Sequence, residues 1–256
     1  MYKLINRVVF SLKGILNSSP RLFSIFGPIN EHPDFYRRVV RSGDDIVIEG
    51  FPRSANTFAT YAFFQAQSNS IKAGNHFHSG MQVRLADRYK IPALVVYREP
   101  RAAIKSFIVY HLGKVSARQA INRYISFHES ILETRDAFVA APFEEVTSDF
   151  GLSIDRLNTL FNTDFSRFEH EAANVDAVFA RIKMKDDARN KGNSDSDSVS
   201  ARSTTPSERK KELAKDYSDW LEDKSLIPLL EKADLLYQEM EDIYSKQSLV
   251  QRQSCN

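Results

Sequence analysis

The chain has 256 residues, 42% hydrophobic and 27% charged, the composition of a globular protein with one sizeable core. A net charge of +2, with Lys/Arg and Asp/Glu interleaved throughout, argues against a nucleic-acid partner, which selects a basic face. The single cysteine, Cys255, excludes an internal disulfide and fits a reducing, cytoplasmic compartment.

In chain order, Leu4, Ile5, Val8, Val9, Leu12, Ile15 and Leu16 recur at helical spacing among Lys3, Arg7 and Lys13. This pattern predicts a basic amphipathic helix over residues 1–16, either packed on the domain or in weak contact with a membrane surface. Arg7 and Lys13 interrupt the apolar run that a signal peptide needs, and no stretch reaches the ~18 apolar residues of a membrane span. Residues 1–40 are expected to be peripheral and 41–256 to form the domain. DDIVIEGF (44–51) predicts a strand, 56–67 a buried helix, 70–77 a short strand and 79–90 a helix. IPALVVY (91–97) is a continuous apolar run, as a central parallel strand requires. Pro100 starts a helix over 100–112, Ser116 one over 116–135, and a strand over 137–146 precedes a helix over 147–161 capped by Thr147. Strands alternating with helices predict an α/β fold with a central parallel sheet flanked by helices. Residues 185–206 are polar and predict a mobile loop; two helices, 207–223 and 225–246, complete a helical C-terminus.

The segment with chemical content is GFPRSANTF (50–58), between the first strand and the first helix. A helix start exposes unpaired N–H groups with partial positive charge, which makes it an anion site. Ser54 and Thr57 add hydroxyls, and Arg53 adds a guanidinium fork suited to phosphate or sulfate oxygens. Gly50 and Thr57 stand where the ends of a triphosphate loop, GxxxxGK(S/T), would stand. Ala55-Asn56 replaces its glycine-lysine pair, so the cation that bridges terminal phosphates is missing.

FPRSANTF resembles the 5′-phosphosulfate loop, (Y/F)PKSGTTW, of the sulfotransferases that use 3′-phosphoadenosine-5′-phosphosulfate (PAPS). Pro52, Ser54 and Thr57 match, Arg53 keeps a cation and Phe58 an aromatic, while Ala55 and Asn56 depart. VVYREPRAAIKSF (95–107) resembles the family's 3′-phosphate motif, with Arg98 at a strand end and Ser106 eight residues on. An unbroken helix would separate those two by about 12 Å; the resemblance implies that the chain brings them to one phosphate. It covers roughly residues 44–165 and implies a P-loop-like sulfotransferase fold, PAPS as co-substrate and no metal. It further implies a 5′ site of Arg53, Ser54, Ala55, Asn56, Thr57 and Phe58, a 3′ site of Arg98 and Ser106, and a histidine base. Arg189-Asn190-Lys191-Gly192 resembles, with one residue inserted, the family's late Arg-Lys-Gly lid, and Arg202 lies further on.

NHFHSG offers two bases, His76 and His78, on one face if the segment is a strand. His78 suits the family pattern better, and His76 would orient it; Glu49 is a remote alternative. A histidine-pair metal site lacks a third ligand nearby. His32, His111, His128 and His170 read as surface or helix-face residues, Arg101 as structural, and Phe58's ring as core. The expectation is sulfuryl transfer to the hydroxyl of a carbohydrate or small metabolite. Its rivals are a magnesium-dependent P-loop kinase and a catalytically inactive nucleotide-binding interaction module.

Overall fold

The structure, a computed structural model, describes residues 23, 25, 27–31, 38–191, 195–203, 205 and 208–254. The amphipathic segment 1–16, His32, Gly192 and Cys255 lie outside the described residues. Four strands form the sheet: β1 (Ile46–Gly50), β2 (Ala73–Asn75), β3 (Ala93–Tyr97) and β4 (Val139–Pro142), in the parallel order β2-β1-β3-β4. Every strand residue is buried, the outcome expected when apolar runs are covered on both faces. Val47 lies beside Ala93, Gly50 beside Val96, and Leu94 beside Val139.

Helices make the crossovers: α1 (Asn56–Ala66), α2 (Gly80–Tyr89), α3 (Pro100–Tyr110) and α4 (Ala117–Leu132). After β4 come α5 (Phe143–Ser148), α6 (Phe150–Phe161), α7 (Ala172–Asn190), α8 (Ser196–Arg202), α9 (Glu208–Lys215) and α10 (Ile227–Ser254). On one face Val47, Val95 and Tyr97 pack with Ile104, Tyr124 and Met240 of α3, α4 and α10. On the other, Ile46, Ile48 and Val96 pack with Phe63, Leu157 and Ile182 of α1, α6 and α7. Local signals agree with these elements. Ser116 and Gln119 form a capping box, Ser79 accepts from Met81 N–H, and Glu99 caps α3 ahead of Pro100.

The topology positions the site. From β1 the chain moves outward to β2, then returns across β1 to β3 on its other side. The direction of winding therefore reverses between β1 and β3, and their carboxyl ends flank the crevice where open α/β sheets bind ligands.

Three expectations need correction. The fourth strand ends at Pro142, and Phe143–Ser148 is a helix with Glu144 and Glu145 in its first turn, where the helix dipole favours acids. Thr147 is no cap: it lies in the last turn of α5, its hydroxyl donating to Phe143 O at 2.9 Å, and α6 starts after Asp149. The polar stretch 185–206 carries the end of α7 and all of α8, which Asp195 caps by accepting from Asp197 and Ser198 N–H. Its helices escaped the periodicity because α7 buries little more than Val178 and Ile182, and α8 little more than Ala201.

Candidate functional site

The loop leaving β1 is built by close approach and by two unusual backbone turns. A Cβ on Gly50 would lie 2.2 Å from Val96 O and 2.3 Å from Asn56 Oδ1, so no side chain fits there. Arg53 (φ 74°) and Ala55 (φ 66°) take the left-handed conformation, which costs an L-residue about 1–2 kcal/mol. Asn56 holds this shape: its Nδ2 donates to Phe51 O at 2.8 Å and Gly50 O at 3.4 Å. The Asn56 side chain is thus a buried staple of the loop and not itself a ligand group; what it offers a ligand is its backbone N–H. Asn56, Thr57 and Phe58 are the first three residues of α1, and the first N–H bonded back is that of Ala59, to Ala55 O at 3.0 Å. Ser54 is fully buried, and its hydroxyl has no hydrogen-bond partner among the described residues. The Phe58 ring lies in the core against Phe168, Phe179 and His170.

The second motif converges on this loop. Arg53 Nε–H donates to Ser106 Oγ at 3.2 Å, and Arg98 Nη1–H donates to Arg53 O at 3.0 Å. Arg53 therefore spans the interval between Arg98 and Ser106 that an unbroken helix leaves open. The Arg98 guanidinium lies 4.0 Å from the centre of the Phe143 ring, and Tyr124 OH holds Arg98 O at 2.9 Å. Burial lowers both arginines, Arg53 to about 10, and both remain cationic at neutral pH.

The segment after α7 closes over the loop. Ser203 O accepts from Arg53 Nη2–H at 3.2 Å and from Lys210 Nζ at 2.9 Å, so one neutral oxygen serves two cations. Burial, with Arg53 and Arg98 adding repulsion against the pull of Asp186, pushes Lys210 down to about 7. Arg189 pairs with Asp186 at 3.0 Å and donates to Arg202 O at 2.7 Å, while Lys191 is exposed beyond it. Lys210 was not singled out from the sequence: it sits in the charge run ERKKE, which reads as a solvated helix face.

The two histidines follow β2 but are not on a strand. His76 (φ 58°) and His78 (φ 52°) are both left-handed, so the two-residue period does not place them on one face. Their rings nonetheless stand 5.9 Å apart. His76 Nε2 lies 3.2 Å from Thr57 Oγ1, and its Nδ1 3.3 Å from Asn75 Oδ1. His78 Nδ1 lies 2.9 Å from Gly50 O, a carbonyl that only accepts. His78 Nδ1 therefore carries a proton, which in the neutral ring leaves the lone pair on Nε2. Glu49, fully buried on β1, accepts from Phe77 N–H at 2.7 Å and His78 N–H at 2.9 Å. Desolvation raises Glu49 to about 8 against the pull of those donors. The other described histidines lie away from this cluster. His128 lies on the buried face of α4, stacked on Tyr124 at 4.0 Å; His111 abuts Phe107, and His170 accepts Phe150 N–H.

Among the described residues no group of three or more His, Cys, Asp or Glu is arranged to hold a metal ion, and no helix is long and apolar enough to cross a membrane. The arrangement offers an anion seat of backbone N–H groups, cations around it, and two imidazole rings at its edge. No protein-family model matches the chain, and no curated protein sequence matches it.

Proposed function

We propose that the chain is a PAPS-dependent sulfotransferase acting on the hydroxyl of a carbohydrate or small metabolite. The observation that carries this reading is the bond from Arg53 to Ser106 together with that from Arg98 to the Arg53 carbonyl. Two motifs some fifty residues apart thereby form one cationic cradle at the switch point of the sheet. A nucleotide with phosphates on both its 3′ and 5′ sides asks for such a pair of adjoining seats.

In this reading Asn56, Thr57 and Phe58 N–H groups, Ser54 Oγ and Arg53 hold the 5′-phosphosulfate, and Arg98 and Ser106 hold the 3′-phosphate. His78 Nε2 takes the acceptor hydroxyl proton as the acceptor oxygen bonds to sulfur. The bond from sulfur to the bridging oxygen breaks in line, and its electron pair leaves with adenosine 3′,5′-bisphosphate. Arg53 stabilises the charge that grows on the bridging oxygen. His76 is engaged with Thr57 and so orients the loop.

Calorimetry with adenosine 3′,5′-bisphosphate against AMP tests the cradle. A preference well above tenfold is expected, and one of tenfold or less, under ~1.4 kcal/mol, would remove the role given to Arg98 and Ser106. His78→Ala should then keep bisphosphate affinity and abolish PAPS turnover; turnover lost only in His76→Ala would move the base to His76.

A further inference from the structure

Glu49 occupies a position that the transfer chemistry above does not use. It is an acidic side chain on the central strand, fully buried, immediately before the phosphate loop. Oε1 accepts Phe77 N–H and Oε2 accepts His78 N–H, with Gly50 N–H a longer third donor at 3.4 Å, so the two short bonds go to the backbone that carries His78. Oε2 also stands 4.0 Å from His78 Nδ1, while that nitrogen bonds Gly50 O at 2.9 Å. The charged and polar groups facing Glu49 are Arg123 from α4, Gln82 from α2 and His78 itself.

We propose that Glu49 is the positioning residue for His78, fixing the loop and the ring's tautomer. The inference rests on His78 being the base. The left-handed backbone at His76 and His78 is one that side-chain-bearing residues rarely adopt, and two N–H bonds to one rigid strand residue hold it. With the loop so held, Nδ1–H points at Gly50 O, which leaves Nε2 as the basic nitrogen of the neutral ring. When Nε2 takes the acceptor proton the ring becomes cationic, with Glu49 Oε2 4.0 Å from its Nδ1. Glu49 itself exchanges no proton in the step; the acceptor proton ends on His78 and then passes to solvent. A buried acid that orients a histidine is a recurrent solution to making imidazole a dependable base.

The experiment uses the full chain labelled with ¹⁵N in the histidine rings, in the wild type and in Glu49→Gln, with adenosine 3′,5′-bisphosphate as the binding probe. The wild-type His78 ring is expected as the Nδ1–H tautomer near neutral pH, and an Nε2–H ring there overturns the proposal even if the variant fails to fold. In a folded Glu49→Gln, bisphosphate affinity should stay within about threefold. His78 should become a mixture of tautomers, and kcat for PAPS, with water as acceptor where no other is used, should drop about a hundredfold at little change in KM, the scale of a misoriented general base. An unchanged tautomer or a kcat within about threefold overturns the proposal. Failure of the sulfotransferase reading appears separately, as wild-type protein that binds neither bisphosphate nor PAPS.

Discussion

Gly50 and Ala55 stand at the two ends of the phosphate loop, and moving one methyl group at each has opposite consequences. In Gly50→Ala the new carbon meets Val96 O at 2.2 Å and Asn56 Oδ1 at 2.3 Å. Val96 O belongs to the adjoining central strand and cannot swing away, so the cost sits high in the roughly 1–3 kcal/mol of overpacking. Restricting the unfolded chain returns roughly 0.4–1 kcal/mol, leaving a net loss of about 2 kcal/mol. Ala55→Gly removes a methyl from a residue at φ 66°, shedding about 1–2 kcal/mol of left-handed strain. Against this stand the freer unfolded chain, at roughly 0.4–1 kcal/mol, and part of a methyl's burial, below about 0.8 kcal/mol. Ala55→Gly should therefore lie within about 0.5 kcal/mol of wild type, and the variants should differ by about 2 kcal/mol. Urea unfolding at equal m-values reads this directly, and heating should put Gly50→Ala about 4–8 °C below wild type. A Gly50→Ala as stable as wild type, or an Ala55→Gly that loses more than about 1 kcal/mol, would refute the loop geometry.

Three further outcomes are expected. Glu49, raised to about 8 when folded, keeps a proton that the unfolded chain releases near its ordinary value, so its contribution is full in acid and lost as pH rises through 8. At about 1.36 kcal/mol per unit, wild type should lose on the order of 3 kcal/mol relative to Glu49→Gln between pH 5 and 8, and a flat difference in unfolding free energy would contradict this. Lys210, lowered to about 7, is cationic below that pH; bisphosphate affinity should fall as pH rises from 6 to 8 in wild type and lose that slope in Lys210→Met, as titration calorimetry can follow. Arg98→Ala should reduce the preference for adenosine 3′,5′-bisphosphate over AMP by about tenfold or more, with AMP binding little changed, and parallel losses for both ligands would assign Arg98 to the loop's structure instead.

The sheet was readable because its strands are apolar on both faces: IPALVVY admits few other fates. FEEV was not readable as a helix, since four residues are too few to display a period and the preceding apolar run carries the eye onward. At the site, Arg53, Arg98 and Ser106 stood out by spacing and resemblance, while their mutual contact depends on the length and reach of the Arg53 side chain. Asn56 looked like a departure from the phosphosulfate pattern, and its function in holding the loop exists only in three dimensions. Lys210 was hidden because a lysine amid charged neighbours has no signature; what distinguishes it is a carbonyl on another turn. Glu49 was legible as an acid in an apolar strand, and its partners at Phe77 and His78 lay almost thirty residues away.

The edge of the sheet has its own dependence on distant sequence. Gln247 on α10 accepts Ala140 N–H at 2.9 Å and donates to Phe138 O at 2.7 Å, while Arg156 on α6 donates to Ala140 O at 3.3 Å, so two side chains share the hydrogen-bonding row of β4. A ribosome makes β4 about a hundred residues before it makes Gln247. Until then Ala140 N–H and Phe138 O on that edge stay open to any extended chain nearby, the arrangement that invites intermolecular pairing. Folding therefore finishes only after α10 has emerged, and a nascent chain halted before residue 247 carries a complete phosphate loop on a sheet whose border is unsealed. Replacing Gln247 with a residue that cannot bridge would reproduce that unfinished border in the full-length protein.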